Sequence, residues 1–216
     1  MSTAVIADIV GSRRLPDRAA AQRELDAAIA RVEKEFPLAT QPLRPVAGDE
    51  QQALYPHLES ALASTLLLRL ALPPGIDLRF GIGIGEVDTL PSPGGEEIPE
   101  GPGWWAAREA IERVHALQKR NAPSARTWVA VADGEAERMS AIARMANAYL
   151  LSRDQIVGAM TDRARRLTYG RLGERTQQQL AAAEGITQSA VSQALAAAGA
   201  GSLVEGFAAL TETEMS

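Results

Sequence analysis

Two hydrophobic periodicities divide the chain. Up to about residue 134, short apolar runs and alternating stretches are interleaved with longer stretches of helical period; beyond it only the helical period remains. The run TAVIADIV (3–10) is a strand pattern with one carboxylate, Asp8, embedded in it. In PDRAAAQRELDAAIARVEKEF, Ala21, Leu25, Ala28, Ile29, Val32 and Phe36 fall on one helical face, and Pro16 suits the first turn. Segments 39–47 and 50–55 read as two hairpin strands around Gly48–Asp49, residue types that tolerate the positive φ of a tight turn. A helix over roughly 57–71 is stopped by Pro73–Pro74.

The stretch DLRFGIGIGEV alternates, with Leu78, Phe80, Ile82 and Ile84 on one face and Arg79, Gly81, Gly83 and Gly85 on the other. The apolar face belongs in a core. The glycine face is bare, which a strand avoids unless another backbone or a ligand comes close. A Pro/Gly-rich loop (88–103) then leads into a helix at about 104–120, and TWVAVAD supplies the last strand. The order β-α-β-β-α-β, then α-β, predicts an α+β fold whose first six elements form a ferredoxin-like, split βαβ palm with helices on one side of the sheet.

From about 135 onward no strand pattern is left. Apolar positions 142, 145, 146 and 149 mark one helix, and Ser152 with Gln155 is a capping-box pair that predicts the start of another. Thr176 with Gln179 repeats that signature. The expected division is a palm domain over 1–134, a connecting helix over 135–152 and an all-helical domain over 153–216.

Within that last segment, TQQQLAAAEGITQSAVSQAL (176–195) is the most specific signal in the chain. A capped helix meets Gly185, Ile186 plugs the corner, and Thr187 caps a second helix. Leu180, Ile186, Val191 and Leu195 make the apolar interior, and Ala181 is small where the helices cross. This is the logic of a helix-turn-helix, and it predicts DNA as the partner. Gln188, Ser189, Ser192 and Gln193 would form the recognition face, since Gln pairs with adenine edges and Ser with bases or phosphates. An ordinary αα-hairpin used for packing or dimerisation is the alternative.

Charge refines that expectation. The chain carries a net charge of −5, yet residues 150–199 hold six arginines against four acids. The recognition helix has no Lys or Arg, so phosphate contacts fall to upstream arginines such as Arg165 and Arg166. Phosphate contacts dominate non-specific affinity, so one copy should bind DNA weakly and a homodimer is expected. The absence of cysteine excludes disulfides and thiolate metal sites. No apolar run reaches the roughly twenty residues of a membrane span, and MSTAVIADIV reads as a strand without the basic start of a signal peptide. A cytoplasmic protein with no membrane partner is the expectation.

Asp8 is costly inside an apolar strand unless it is paired or binds a metal. In a split βαβ sheet it lies near the hairpin, so Asp8 and Asp49 are candidates to converge on Mg²⁺ or Mn²⁺. Otherwise Asp49 is a plain turn residue and Asp8 caps the following loop. Glu50 reads as a strand-start residue, and Arg108 has Glu112 one turn away as a surface partner.

The motifs ADIVGS (7–12), GDE (48–50), RFGIGIGEV (79–87) and GPGWWAAREA (101–110) resemble those of class III nucleotidyl cyclases and, more distantly, the GGDEF diguanylate cyclases. Combined with the C-terminal helix-turn-helix, the pattern is similar to the SatD family over nearly the whole chain. The resemblance implies a nucleotidyl-cyclase-like palm. It makes Asp8 and Asp49 metal ligands, with Ile9 giving a backbone carbonyl and Gly48 and Gly81 lying against a bound cofactor. It makes Arg108 the group that supports the transition state. Where cyclases place an asparagine that orients the ribose, this chain has Trp104, whose indole cannot replace the amide. The expectation is therefore a DNA-binding regulator whose palm senses a metal or nucleotide without cyclase turnover. The alternative is a nucleotidyl-transfer enzyme with an accessory helical module.

Overall fold

The computed structural model describes residues 2–91 and 97–212. Strand β1 (Thr3–Ile9) leads through a short 3-10 turn to helix α1 (Arg18–Glu35), whose first turn is capped by the Asp17 carboxylate accepting from the Ala20 amide. The hairpin β2 (Gln41–Ala47) and β3 (Glu50–Tyr55) follows, then α2 (Leu58–Ala71) and β4 (Leu78–Ile84). These six elements have the ferredoxin-like order expected from the periodicity. Next come β5 (Asp88–Pro91), β6 (Glu97–Glu100), α3 (Pro102–Gln118) and β7 (Thr127–Val131). The main sheet runs β2-β3-β1-β4-β7, antiparallel throughout except for the parallel pair β4–β7.

The sheet is covered on both faces. Val5, Ala7 and Ile9 join Leu25, Ile29 and Leu66 in the core under α1 and α2. Ala4 and Ile6, on the opposite face of β1, pack with Trp104, Ala107, Ile111 and Val114 of α3. Helices on one side therefore describes α1 and α2 alone. The glycines of β4 are what admit α3 so closely. A Cβ at Gly81 would lie 2.2 Å from the Ala107 carbonyl oxygen, and one at Gly83 would lie 2.0 Å from that of Gly103. The bare face is occupied by helix backbone.

Two further expectations are corrected. The 88–103 loop contains the β5–β6 hairpin, paired from Asp88↔Glu100 to Pro91↔Glu97; residues 92–96 lie outside the described residues. Each of its strands is an edge, where a proline removes no needed ladder bond. At Ser152 no helix begins, because α4 runs unbroken over Glu137–Ala159 and the Ser152 hydroxyl donates to the Ala148 carbonyl at 3.3 Å.

What keeps α4 continuous is its attachment to the outer edge of β7. Asn147 accepts from the Val129 amide at 2.8 Å and donates to the Val129 carbonyl at 2.9 Å. Asp154 accepts from the amides of Arg126 and Thr127 at 2.6 and 2.8 Å. Buried Arg69 and Arg153 both pair with it, at 2.7 and 2.8 Å. Side chains of α4 thus satisfy backbone groups that a further strand would otherwise take.

The remaining helices are α5 (Asp162–Leu172), α6 (Gln177–Glu184), α7 (Gln188–Ala197) and α8 (Ala200–Thr211). Thr176 and Gln179 form the capping box in both directions, at 3.2 and 2.8 Å. Gly185 takes the left-handed conformation (φ 65°), and the Thr187 hydroxyl accepts from the Ala190 amide at 3.1 Å. Leu167, Leu180, Val191 and Phe207 belong to the same core as α1 and α2. No single described helix is long and apolar enough to cross a membrane.

Candidate functional site

Register brings the first set of polar residues together at one end of the sheet. Asp8 lies directly across from Arg79, on the face that α3 covers. The Arg79 Nε and Nη2 donate to the two Asp8 carboxylate oxygens at 2.8 and 2.9 Å. Its Nη1 donates to Gln118 Oε1 at 3.2 Å and to His115 Nδ1. Burial lowers the pKa of His115, and the charges of Arg79 and Lys119 lower it further.

Glu50 begins β3 on that same face. Arg108 grips it with two bonds of 2.6 and 2.7 Å, and Gln52 adds a third at 3.1 Å. Burial alone would raise the Glu50 carboxyl. The bonds from Arg108 and Gln52, with the Arg108 charge, outweigh that and hold it below the usual range. The bonds to Glu50 raise Arg108 in turn. Arg108 thus reaches across to the hairpin, and the surface partner expected one turn along its own helix is not the one it takes. Asp8, Arg108, Ile111, Glu112, His115 and Lys119 line a cavity of about 440 Å³.

The other palm positions differ in setting. Gly48 sits in the exposed hairpin turn with φ 65°, and half-buried Asp49 follows it. Ile9 is buried in the core beneath α1 and α2. Gly81 was expected to line a cofactor site, but it is buried against the backbone of Ala107 and Ile111, so its lack of a side chain serves packing. Trp104 is buried against Ala4 and Ile6, whereas its neighbour Trp105 is 63% exposed.

At Asp8 a divalent cation would meet a guanidinium group already in place. Guanidinium groups occupy both oxygens of Asp8 and both of Glu50. Among the described residues no group of three or more His, Asp or Glu side chains is placed to hold a metal.

The second set lies on the helical segment. Gln188, Ser189, Ser192 and Gln193 are all exposed, while Val191 and Leu195 on the opposite side of α7 are buried. The arginines meant for phosphate are engaged. Arg165 pairs with Asp162, and Arg166 makes two bonds of 2.7 Å to Glu184, which Arg163 also approaches at 3.6 Å.

Sequence comparison places this geometry. The chain matches the SatD family over residues 2–202. It belongs to the SatD family. No curated protein matches the sequence. Among solved structures, a bacterial light-regulated adenylyl cyclase is similar at 14% identity and a TM-score of 0.39, over 56% of this chain and 71% of that one. A second structure of a bacterial light-regulated adenylyl cyclase gives 14% and 0.40, over 56% of this chain and 41% of that one. Identity this low transfers no activity to this SatD-family chain.

Arg79 and Glu50 fall inside the RFGIGIGEV and GDE motifs, but the motifs gave neither a role in the site. A signal for both was in the alternation. Asp8, Glu50 and Arg79 each occupy the strand parity that faces α3, so a sheet with β1 between β3 and β4 puts all three on one face.

Proposed function

We propose that this SatD-family protein is a DNA-binding transcriptional regulator, with α7 as the recognition helix and the palm as a non-catalytic sensing body. The observation that carries the reading is the one-sided polar face of α7. Gln188, Ser189, Ser192 and Gln193 stand exposed on a helix capped by Thr187 directly after a left-handed Gly185. Such a helix meets the geometric needs of major-groove readout. Arg165 and Arg166 would supply phosphate contacts by exchanging Asp162 and Glu184 for DNA, and a homodimer would double those contacts. Any Mg²⁺ or Mn²⁺ at Asp8 and Asp49 would first have to displace Arg79. The test is selection from random genomic fragments on purified full-length protein. Enrichment of a shared sequence supports the reading; recovery without sequence preference sinks it.

A second reading, nucleotidyl transfer, is favoured by Asp8 and Arg108 lining one cavity. Incubation with Mn²⁺ and ATP or GTP should nonetheless yield no cyclic nucleotide. Trp104 stands where the ribose-orienting amide would be, and it is packed into the core. Turnover that depends on Asp8 would reverse the order of the two readings.

A further inference from the structure

A cavity of about 1000 Å³ lies away from the palm's polar cluster and away from the polar face of α7. One wall comes from the C-terminal ends of α1 and α2 and the residues after them, the other from α5, α6 and α8. Its size is at the upper end of what small-molecule sites occupy, about 300–1000 Å³. Leu38, Leu70, Leu167, Leu172 and Leu180 contribute apolar lining. Three aromatic rings stand beside them: Phe36 meets Tyr169 and Phe207 edge-on, each at 5.9 Å.

The charges around the cavity cancel. Arg31, Arg165, Arg166 and Arg175 face Glu35, Asp162, Glu174 and Glu184. Most of these groups are already committed. Arg165 holds Asp162, and Arg166 holds Glu184 at 2.7 Å. Arg31 donates to the Ala71 carbonyl at 2.7 Å and lies over the Tyr169 ring, whose hydroxyl donates to Glu35 at 2.7 Å. Arg175 and Glu174 adjoin in sequence and offset each other. A charged ligand would meet no net opposite charge here, while an apolar one would meet leucine side chains and ring edges.

We infer that this cavity is a binding site for an uncharged, predominantly apolar small molecule. Because its walls come from the palm on one side and the helix-turn-helix segment on the other, an occupant would fix how the two sit together. That consequence rests on the regulatory reading above, whereas the binding itself does not. The probes are N-phenyl-1-naphthylamine, which is neutral, and 8-anilino-1-naphthalenesulfonate, its anionic counterpart, titrated by fluorescence into the full-length protein without DNA. The neutral probe should bind saturably at one site and at least about tenfold more tightly than the anion, the factor set by desolvating an unpaired charge. Leu38→Trp, which places an indole in the cavity, should weaken the neutral probe. Arg138→Ala, at an exposed position of α4 outside the cavity, should leave it unchanged. Circular dichroism confirms that the variants are folded. Failure of the neutral probe to bind, or binding indifferent to Leu38→Trp, overturns the assignment. So does tighter binding of the sulfonate that Arg175→Ala abolishes, which would make the ligand an organic acid. Since no DNA is present, none of these outcomes can be confused with a failure of DNA recognition.

Discussion

Arg79 holds both carboxylate oxygens of Asp8, at 2.8 and 2.9 Å, from the facing position on the neighbouring strand. A fixed internal cation therefore stands where a divalent ion was expected to be drawn. Mn²⁺ or Mg²⁺ should leave the melting temperature of the wild type nearly unchanged, because a bound ion stabilises only in proportion to its affinity for the folded state. Arg79→Met removes the internal cation. It should lower stability, by less than the about 3–5 kcal/mol of a fully buried broken pair, because Asp8 keeps contact with water. The variant should then gain a Mn²⁺-dependent rise that Asp8→Ala cancels. A wild type that responds to Mn²⁺ as strongly as Arg79→Met would show that the guanidinium does not block the ion.

The Glu50–Arg108 pair sets an acid limb. Glu50 has a folded pKa below its unfolded one, so its stabilisation is present above the unfolded carboxylate value of about 4.3 and is lost as pH falls through the folded value. Both side chains retain some exposure, which keeps the contribution near or below about 1 kcal/mol. In urea unfolding, wild type should exceed Arg108→Ala modestly near neutral pH, and the gap should close on acidification. A gap that persists unchanged in acid would mean that Arg108 stabilises through packing and not through the Glu50 charge.

Much of the fold was legible because periodicity reports burial directly. Leu78, Phe80, Ile82 and Ile84 alternate with Arg79 and the glycines, and all four are buried. The Thr176–Gln179 box and Gly185 were equally local, each set by bonds within a few residues. The Asp8–Arg79 pairing was not legible in that way, since it depends on the register between strands about seventy residues apart in sequence. Ser152 misled for a related reason. A serine followed three residues later by glutamine looks the same whether or not a helix begins there. Here the buried face through Leu150, Arg153, Asp154 and Val157 carries the helix onward.

The glycine face of β4 separates close approach from flexibility. Gly83→Ala would set a methyl 2.0 Å from the Gly103 carbonyl and 2.4 Å from the Ala107 amide nitrogen, both backbone atoms that cannot rotate away. It should destabilise by at least the about 1–3 kcal/mol of ordinary overpacking. Gly206, in the middle of α8, has only a Tyr149 ring atom at 3.9 Å from a Cβ. Gly206→Ala should raise stability by up to about 1 kcal/mol, the helix preference for alanine. Thermal unfolding of both variants checks the contrast, and equal effects would refute the packing account of β4.

The proposed DNA recognition offers the sharpest separation of roles, because the two residue classes on the helical segment differ in environment. Gln188 and Gln193 are exposed and should act on sequence. Their alanine variants should lose roughly 1–3 kcal/mol on a selected site and little on random DNA. Arg166 starts from a different state, with Glu184 accepting two bonds of 2.7 Å. Those bonds hold the Glu184 carboxyl below its usual range, so the ion pair persists near neutral pH. Binding a phosphate must trade one anion for another, which reduces the gain. Glu184→Gln removes the competitor and leaves Arg166 and Arg163 free to reach DNA. It should tighten binding to all sequences alike and steepen the salt dependence, while Arg166→Ala should do the reverse. Titrations of a selected site and a scrambled duplex at two salt concentrations distinguish these effects. If Glu184→Gln leaves both affinity and salt slope unchanged, the arginines of α5 are not phosphate contacts, and the polar face of α7 would have to hold DNA without them.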